Sequence, residues 1–595
     1  MPSSLGVGGT VNMAFWRWAI LAAALVVTSS GSAAVAAEPQ TADTATADTV
    51  LVHGRIITVD PADTVAQALA IRGGRIVRVG TDRDVLRLAG PRTQVIDLHG
   101  RAATPGLIDA HAHVVETGLI DLFEIDLSQS GSIADITQAV AARARKARPG
   151  EWVVGAGWDE GKLAERRYPT AAELDAVAPN NPVWLENTTG HYGVANSAAL
   201  TLAGIGAATP DPPAGTIERL ADGRPAGVLK EAAQDIARQR IPASSVEARR
   251  QAIAHMIERL HAEGMTGFKD PAIDDDDWAA YRAIARDGQL GANVCVLFYT
   301  GKTMDAARDN LRRIRAAQAD TAALPASGLR VCGAKIFMDG SGAAPTAWSY
   351  EDWNHDRTQV SAGNKGYPQV DPAIFRQQVR LFVDNDVGIG VHAIGDRAID
   401  WVVDSYALAL AAHPTRGLRL SIIHANTPTD HAIAVMADLQ KRYDAGIPES
   451  QGAFAWWIGD IYAANLGPAR SLRLNPFRTY LQRGMIWAGG SDSPVTPIAA
   501  RYGLWASIAR QTLKGTFGPT PFGTDQAVDV HAALRSYTAW AARQILADTD
   551  TGTLKMGKSA DIAVWDRDPY AVPTAALKDM ACDLTLFHGQ VVFRR

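Results

Sequence analysis

Between residues 104 and 489 an apolar, strand-like run returns eight times, each run leading into a stretch of helical or loop character. The runs lie at 104–110, 266–269, 293–298, 330–337, 387–392, 418–424, 443–447 and 485–489, the seventh being the least strand-like. Strand then helix, repeated eight times, is the pattern of a closed parallel (β/α)8 barrel, whose strand ends all open on one face. Residues 114–265 separate the first two runs. No structureless loop in a compact domain is that long, so this segment predicts an inserted cap subdomain, with helices over 132–148 and 247–262. The two chain ends read differently. Residues 38–104 and 549–595 hold short β-type runs between turns, including a hairpin about Gly73-Gly74. The expected fold is therefore α/β: a barrel over 105–548 with an inserted cap, plus a small β-sandwich formed by both chain ends.

Composition narrows the function classes. Of 595 residues, 47% are hydrophobic and 20% charged, the proportions of a globular protein. A net charge of -5 gives no basic face for phosphates, so a nucleic-acid partner is not expected. Three cysteines allow one disulfide at most. Arg17, the apolar run 19–27 and the small-residue stretch 31–37 have the order of an export signal, with cleavage after Ala36 or Ala37. The apolar run is shorter than the ~20 residues a spanning helix needs. The expectation is an exported protein, periplasmic or extracellular, with no membrane span once residues 1–37 are removed. A homo-oligomer is compatible with the sequence, which does not decide the point.

Five strand ends carry chemistry. His111-Ala-His113 follows the first run, and alternation along an extended chain points both imidazoles the same way. Lys335 sits inside the apolar run Val331–Met338. A lysine there is costly unless it is paired, snorkels to water, or is carbamylated by CO2 into an anionic oxygen ligand. His392 and His424 each end an apolar run, and Asp492 follows the last one in Gly489-Gly-Ser-Asp492. Each alone has a plainer reading: a solvated loop, a satisfied core histidine, an Asx-turn. Together, at successive strand ends of one barrel, they describe a metal centre.

The chain also carries Thr104-Pro-Gly-Leu-Ile-Asp-Ala-His-Ala-His113, Gly157-Trp-Asp159 with Pro169-Thr170 and Leu174-Asp175, Gly190-His191 with Asn196-Ser197, and Gly227-Val-Leu-Lys-Glu231. Lys335-Ile-Phe-Met-Asp-Gly-Ser341, Val391-His-Ala-Ile-Gly-Asp396, Gly490-Ser-Asp-Ser-Pro-Val495 and Gly557-Lys-Ser-Ala-Asp561 follow. In these motifs it resembles the amidohydrolase superfamily, and most of all amidohydrolase family 3, the group that includes N-substituted formamide deformylases. The resemblance implies a metal-dependent hydrolase of a carbon–nitrogen bond (amide, N-formyl, carbamate or cyclic amide) acting on a small molecule through metal-activated hydroxide. It places His111, His113, Lys335, His392, His424 and Asp492 on ligand positions. Histidine and carboxylate donors suit zinc, with manganese, iron or cobalt as alternatives.

The expected layout has His111, His113 and Asp492 on one ion, His392 and His424 on a second, and N6-carboxylated Lys335 between them. A single ion without carbamate is the variant. Asp492 would move the water proton to the leaving nitrogen. His191, in the cap, would donate to the developing oxyanion. Aromatic loop residues Trp348, Trp456 and Trp457, with Asn426, are candidate substrate contacts. One departure stands out. Relatives carry an acidic residue just before the His424 position and commonly Gln at 426, where this chain has Ile423 and Asn426. Ester hydrolysis, decarboxylation or hydration at the same centre, or a non-catalytic binding role, are the rival readings.

Overall fold

Eight parallel strands organise the computed structural model, which describes residues 46–324, 328–354, 362–515 and 523–595. The expected export signal lies outside the described residues. In chain order the strands are β1 (Leu107–Asp109), β2 (Met265–Ile273), β3 (Asn293–Tyr299), β4 (Leu329–Phe337), β5 (Ile389–Ala393), β6 (Ser421–His424), β7 (Ile447–Ser450) and β8 (Ala488–Gly489). Each is hydrogen-bonded to the next. One bond crosses the seam between β1 and β8: the Ala110 N–H donates to the Gly489 carbonyl at 2.9 Å. Asp109 fastens the same seam, accepting the N–H groups of His111 at 2.9 Å and Ser491 at 3.1 Å. The seam needs Gly490, where a Cβ would lie 2.9 Å from the His111 nitrogen.

The barrel strands are buried on both faces, and the longer ones are accordingly apolar runs without polar alternation. Outer helices bury one stripe each. Pro372–Asp384 buries Phe375, Gln378, Val379, Phe382 and Val383, spaced at helical period. Asp371 caps that helix and Pro372 opens it, while Asp274 and Asp277 form a capping box on Asp275–Arg286.

Two expectations on strands need correction. The seventh strand is not 443–447: Tyr443 ends the helix Asp430–Tyr443, and the strand is Ile447–Ser450. Pro448 and Glu449 deprive it of the apolar, β-branched signature that marks the others. The first run, 104–110, is split between two sheets, because Ala102–Pro105 belongs to the sandwich and only Leu107–Asp109 to the barrel.

The sandwich has one four-stranded sheet, from residues 49–97, and one six-stranded sheet in which three strands from each chain end adjoin, Ala102–Pro105 pairing with Ile562–Trp565. Leu51, Ile56, Leu69, Ile562 and Leu586 share its core. The cap is built on a six-stranded sheet running from Ile125–Asp126 to Pro225–Glu231 and Gly215–Arg219. It has its own cores, around Trp158 and Tyr192 and around Trp184 and Leu229. The predicted helix near 132–148 is Ile133–Ala144, within the cap. The predicted helix near 247–262 is Val246–Ala262, and it joins the barrel core instead, through Ile253, Met256, Ile257 and Leu260. A Cys295–Cys332 disulfide joins β3 to β4, and Cys582 is free and buried. Among the described residues no helix is long and apolar enough to cross a membrane.

Candidate metal centre

All six predicted ligands meet at the C-terminal ends of the barrel strands. His111 and His113 follow β1, Lys335 lies in β4, His392 in β5, His424 ends β6, and Asp492 follows β8. Ligand atoms of His111, His113 and Asp492 all lie within 4.8 Å of one another. Asp492 Oδ1 is 3.1 Å from His111 Nε2 and 3.3 Å from His113 Nε2. The His392 and His424 rings stand beside this trio, 4.6 Å apart between centroids, with His424 5.4 Å from His111. His424 and Asp492 hold positive φ, 73° and 57°, a strained backbone that persists where the surroundings fix it.

These side chains have unspent donor atoms. Both ring nitrogens of His111, Nε2 of His392 and Nζ of Lys335 are buried without a hydrogen-bond partner. Three of these atoms, one each on His111, His392 and Lys335, would each cost about 1–3 kcal/mol if left unsatisfied. A divalent cation satisfies nitrogen and oxygen donors together, so the residues fit one. Burial pushes the Lys335 ammonium down to about 7, and His424 down to about 3, so its ring is neutral at ordinary pH. Burial alone would raise Asp492, but His111 and His113 beside it hold it well below the usual carboxylate range.

Supporting groups orient the ligands. Asp339 is fully buried, and its Oδ1 lies 3.1 Å from His392 Nδ1. It accepts the N–H groups of Trp348 at 3.0 Å, Ile394 at 3.1 Å and Gly395 at 2.8 Å. Gln451 Oε1 is 2.9 Å from His424 Nδ1. A partner on Nδ1 leaves Nε2 for a ligand role. In the cap, both Glu231 oxygens lie 3.1 Å from His191 Nδ1, and the His191 ring is 5.2 Å from His392. Burial works to lower the His191 pKa, but Glu231 outweighs it and the net shift is upward. A cavity of about 560 Å³ opens over the centre, lined by His113, His191, Lys335, His392, His424 and Asp492, with Tyr299 and Phe337 on its wall.

The other predicted contacts do not reach that cavity. Trp348 packs on Trp401, and only its backbone N–H serves the centre, through Asp339. Trp457 is buried under Lys162, 3.8 Å from its ring, and Trp456 packs on Tyr502 and Trp505. Asn426 is buried and donates to Asn475 at 2.7 Å. Sequence reading gave no role to Asp339, Glu231, Gln451 or Glu449. The first two sit inside quoted motifs, and the last two were hidden by misplacing β7.

A profile described as the amidohydrolase family matches residues 94–593. The chain belongs to the amidohydrolase family. It is a metal-dependent hydrolase of non-peptide carbon–nitrogen bonds, built on the family's barrel. This amidohydrolase is 31% identical over 563 residues to N-substituted formamide deformylase of Arthrobacter pascens, covering 92% of this chain and 98% of that one. It is 28% identical to putative amidohydrolase YtcJ of Bacillus subtilis, covering 89% and 96%. An uncharacterized metal-dependent hydrolase from Pyrococcus horikoshii has the same fold, with a TM-score of 0.67 at 24% identity, covering 89% of this chain and 99% of that one.

Proposed function

We propose that this amidohydrolase is exported and hydrolyses the C–N bond of a small amide, N-formyl, carbamate or cyclic amide compound at a zinc centre. The convergence of six ligand-type side chains beneath one cavity, three of them (His111, Lys335 and His392) with buried atoms that lack a hydrogen-bond partner, carries the reading. The deformylase relative, matched over almost its whole length, supports an N-substituted amide within that class. His111, His113 and Asp492 would hold one ion, and His392 and His424 a second. Lys335, with an amine whose pKa burial lowers to about 7, is suited to take up CO2 with loss of one proton, and the resulting carbamate would offer two oxygens that share a single negative charge. When bound, zinc polarises the scissile carbonyl and lowers the pKa of a water to about 7.

The chain's own groups do the rest. Asp492 is the carboxylate nearest the centre, and it takes the water proton and returns it to the leaving nitrogen. His191, kept in place by Glu231, donates to the oxyanion as it develops. Tyr299 and Phe337 flank the substrate's nitrogen substituent. The Cys295–Cys332 disulfide suits an oxidising compartment and so supports export. The experiment is elemental analysis of the purified protein joined to a screen of amide, N-formyl, carbamate, cyclic amide and ester substrates. Zinc with C–N hydrolysis is expected, and Asp492→Ala should abolish turnover. Full-rate hydrolysis by metal-free protein, or activity on esters alone, would refute the proposal.

A further inference from the structure

Glu449 is fully buried in β7. A carboxylate there is costly unless it is paired and hydrogen-bonded. Its Oε1 is: Lys269 of β2, 1% exposed, forms an ion pair with it from across the barrel. The Gln544 side chain, at the end of helix Ala539–Gln544, donates to the same oxygen at 2.7 Å. Oε2 has no hydrogen-bond partner and lies 3.6 Å from His111 Nδ1. The other His111 nitrogen, Nε2, lies 3.1 Å from Asp492 Oδ1. The fully buried ring of His111 thus stands between two carboxylates, one at each nitrogen.

We propose that Glu449, clamped by Lys269 and Gln544, is the positioning residue for His111, keeping the ring proton on Nδ1 and the Nε2 lone pair turned toward Asp492 and His113. A neutral imidazole carries one proton, and a ligand nitrogen must be bare. The nitrogen that faces Glu449 is the one left to carry it. The 3.6 Å separation exceeds a hydrogen bond, so the hold comes from an anchored charge acting between two fully buried groups. A lysine–glutamate pair is a poor device for stability alone, since apolar residues of similar volume serve as well. Its arrangement makes sense as a fixed mount for the free oxygen. The cross-strand neighbour of Glu449 is Ile423, the residue just before His424.

This inference rests on the metal-centre reading, and the test separates the two. Zinc-loaded wild-type protein with 15N-labelled histidine should show His111 protonated at Nδ1. Two double variants, K269M/E449Q and K269M/E449L, both lack the ion pair and differ in whether an oxygen still faces His111. The unpartnered Gln544 Oε1 can receive the new amide N–H groups. By chelator competition, K269M/E449L should bind zinc about 10–100-fold more weakly than wild type, and K269M/E449Q should recover at least a large part of that loss. A proton on Nε2 of His111 in the loaded wild type, or equal zinc affinity in the two variants, overturns the role of Glu449. Wild-type protein that takes up no zinc overturns the metal centre itself.

Discussion

Asp339→Asn changes one atom and should disable the His392 side of the centre. Asp339 Oδ2 accepts from Trp348 and Gly395, while Oδ1 accepts from Ile394 and faces His392 Nδ1. An asparagine amide can keep only one of these oxygen positions. If it keeps the Trp348–Gly395 side, its NH2 confronts the Ile394 N–H and the His392 ring. The ring then accepts at Nδ1, which moves its proton to Nε2 and removes the lone pair a cation needs. If the amide turns over, two backbone donors face an NH2 instead. The first arrangement leaves one buried donor, the Ile394 N–H, without an acceptor, at about 1–3 kcal/mol, and the second leaves two, at about 2–6 kcal/mol. Denaturant unfolding of the metal-free variant should read that loss, and chelator competition should show zinc affinity down about 10–100-fold. A variant with unchanged stability and full zinc affinity would refute the reasoning.

The other predictions address separate parts of the molecule. His191→Asn should lower kcat about 100–1,000-fold while leaving metal content intact, because His191 meets the centre from the cap; loss of metal in that variant would reassign it. Lys335→Ala should lose most of the metal bound by His392 and His424, and short carboxylic acids should restore part of the activity by supplying an anionic oxygen pair. Rescue by simple amines instead would contradict carboxylation. Burial, with repulsion from Glu186 and Glu116, pushes the Glu124 carboxyl up to about 7. Because the folded pKa exceeds the unfolded one, the stability contributed by the protonated form falls as pH rises from about 4.5 to 7. Glu124→Gln should therefore flatten the fall in Tm over that window, and an unchanged profile would rule out the shift. The proposed export predicts a mature chain that begins at Ala37 or Glu38, and N-terminal sequencing that finds residues 1–36 retained would contradict it.

Much of the centre was legible in the sequence because its ligands are unusual residues at the ends of ordinary strands. Histidine, lysine or aspartate closing an apolar run stands out, and the barrel supplies the convergence that spacing alone cannot. Lys335 was visible for this reason. Glu449 was not. It sits after Pro448 in a strand without an apolar pattern, and its partner Lys269 comes from β2, on the far side of the barrel. Such cross-barrel pairing leaves no local signature. The aromatic residues misled for the opposite reason. Trp348 lies on a loop, and Trp456 and Trp457 end the short helix Phe454–Trp457 after β7, but large rings are also the best core fillers, and here they pack cap and connecting segments onto the barrel. Tyr299 and Phe337 lie on the wall of the cavity and end β3 and β4; Phe337 closes the expected run 330–337, while the expected run 293–298 stops one residue short of Tyr299.

The claim that these side chains form a metal centre is tested most directly by anomalous diffraction from crystals of the zinc-loaded protein. The account predicts a peak about 2.0–2.2 Å from Nε2 of His111 and of His113 and from a carboxylate oxygen of Asp492, with a second beside His392 and His424. Crystals with no peak within bonding distance of His111, or with zinc held only by surface residues, would contradict it.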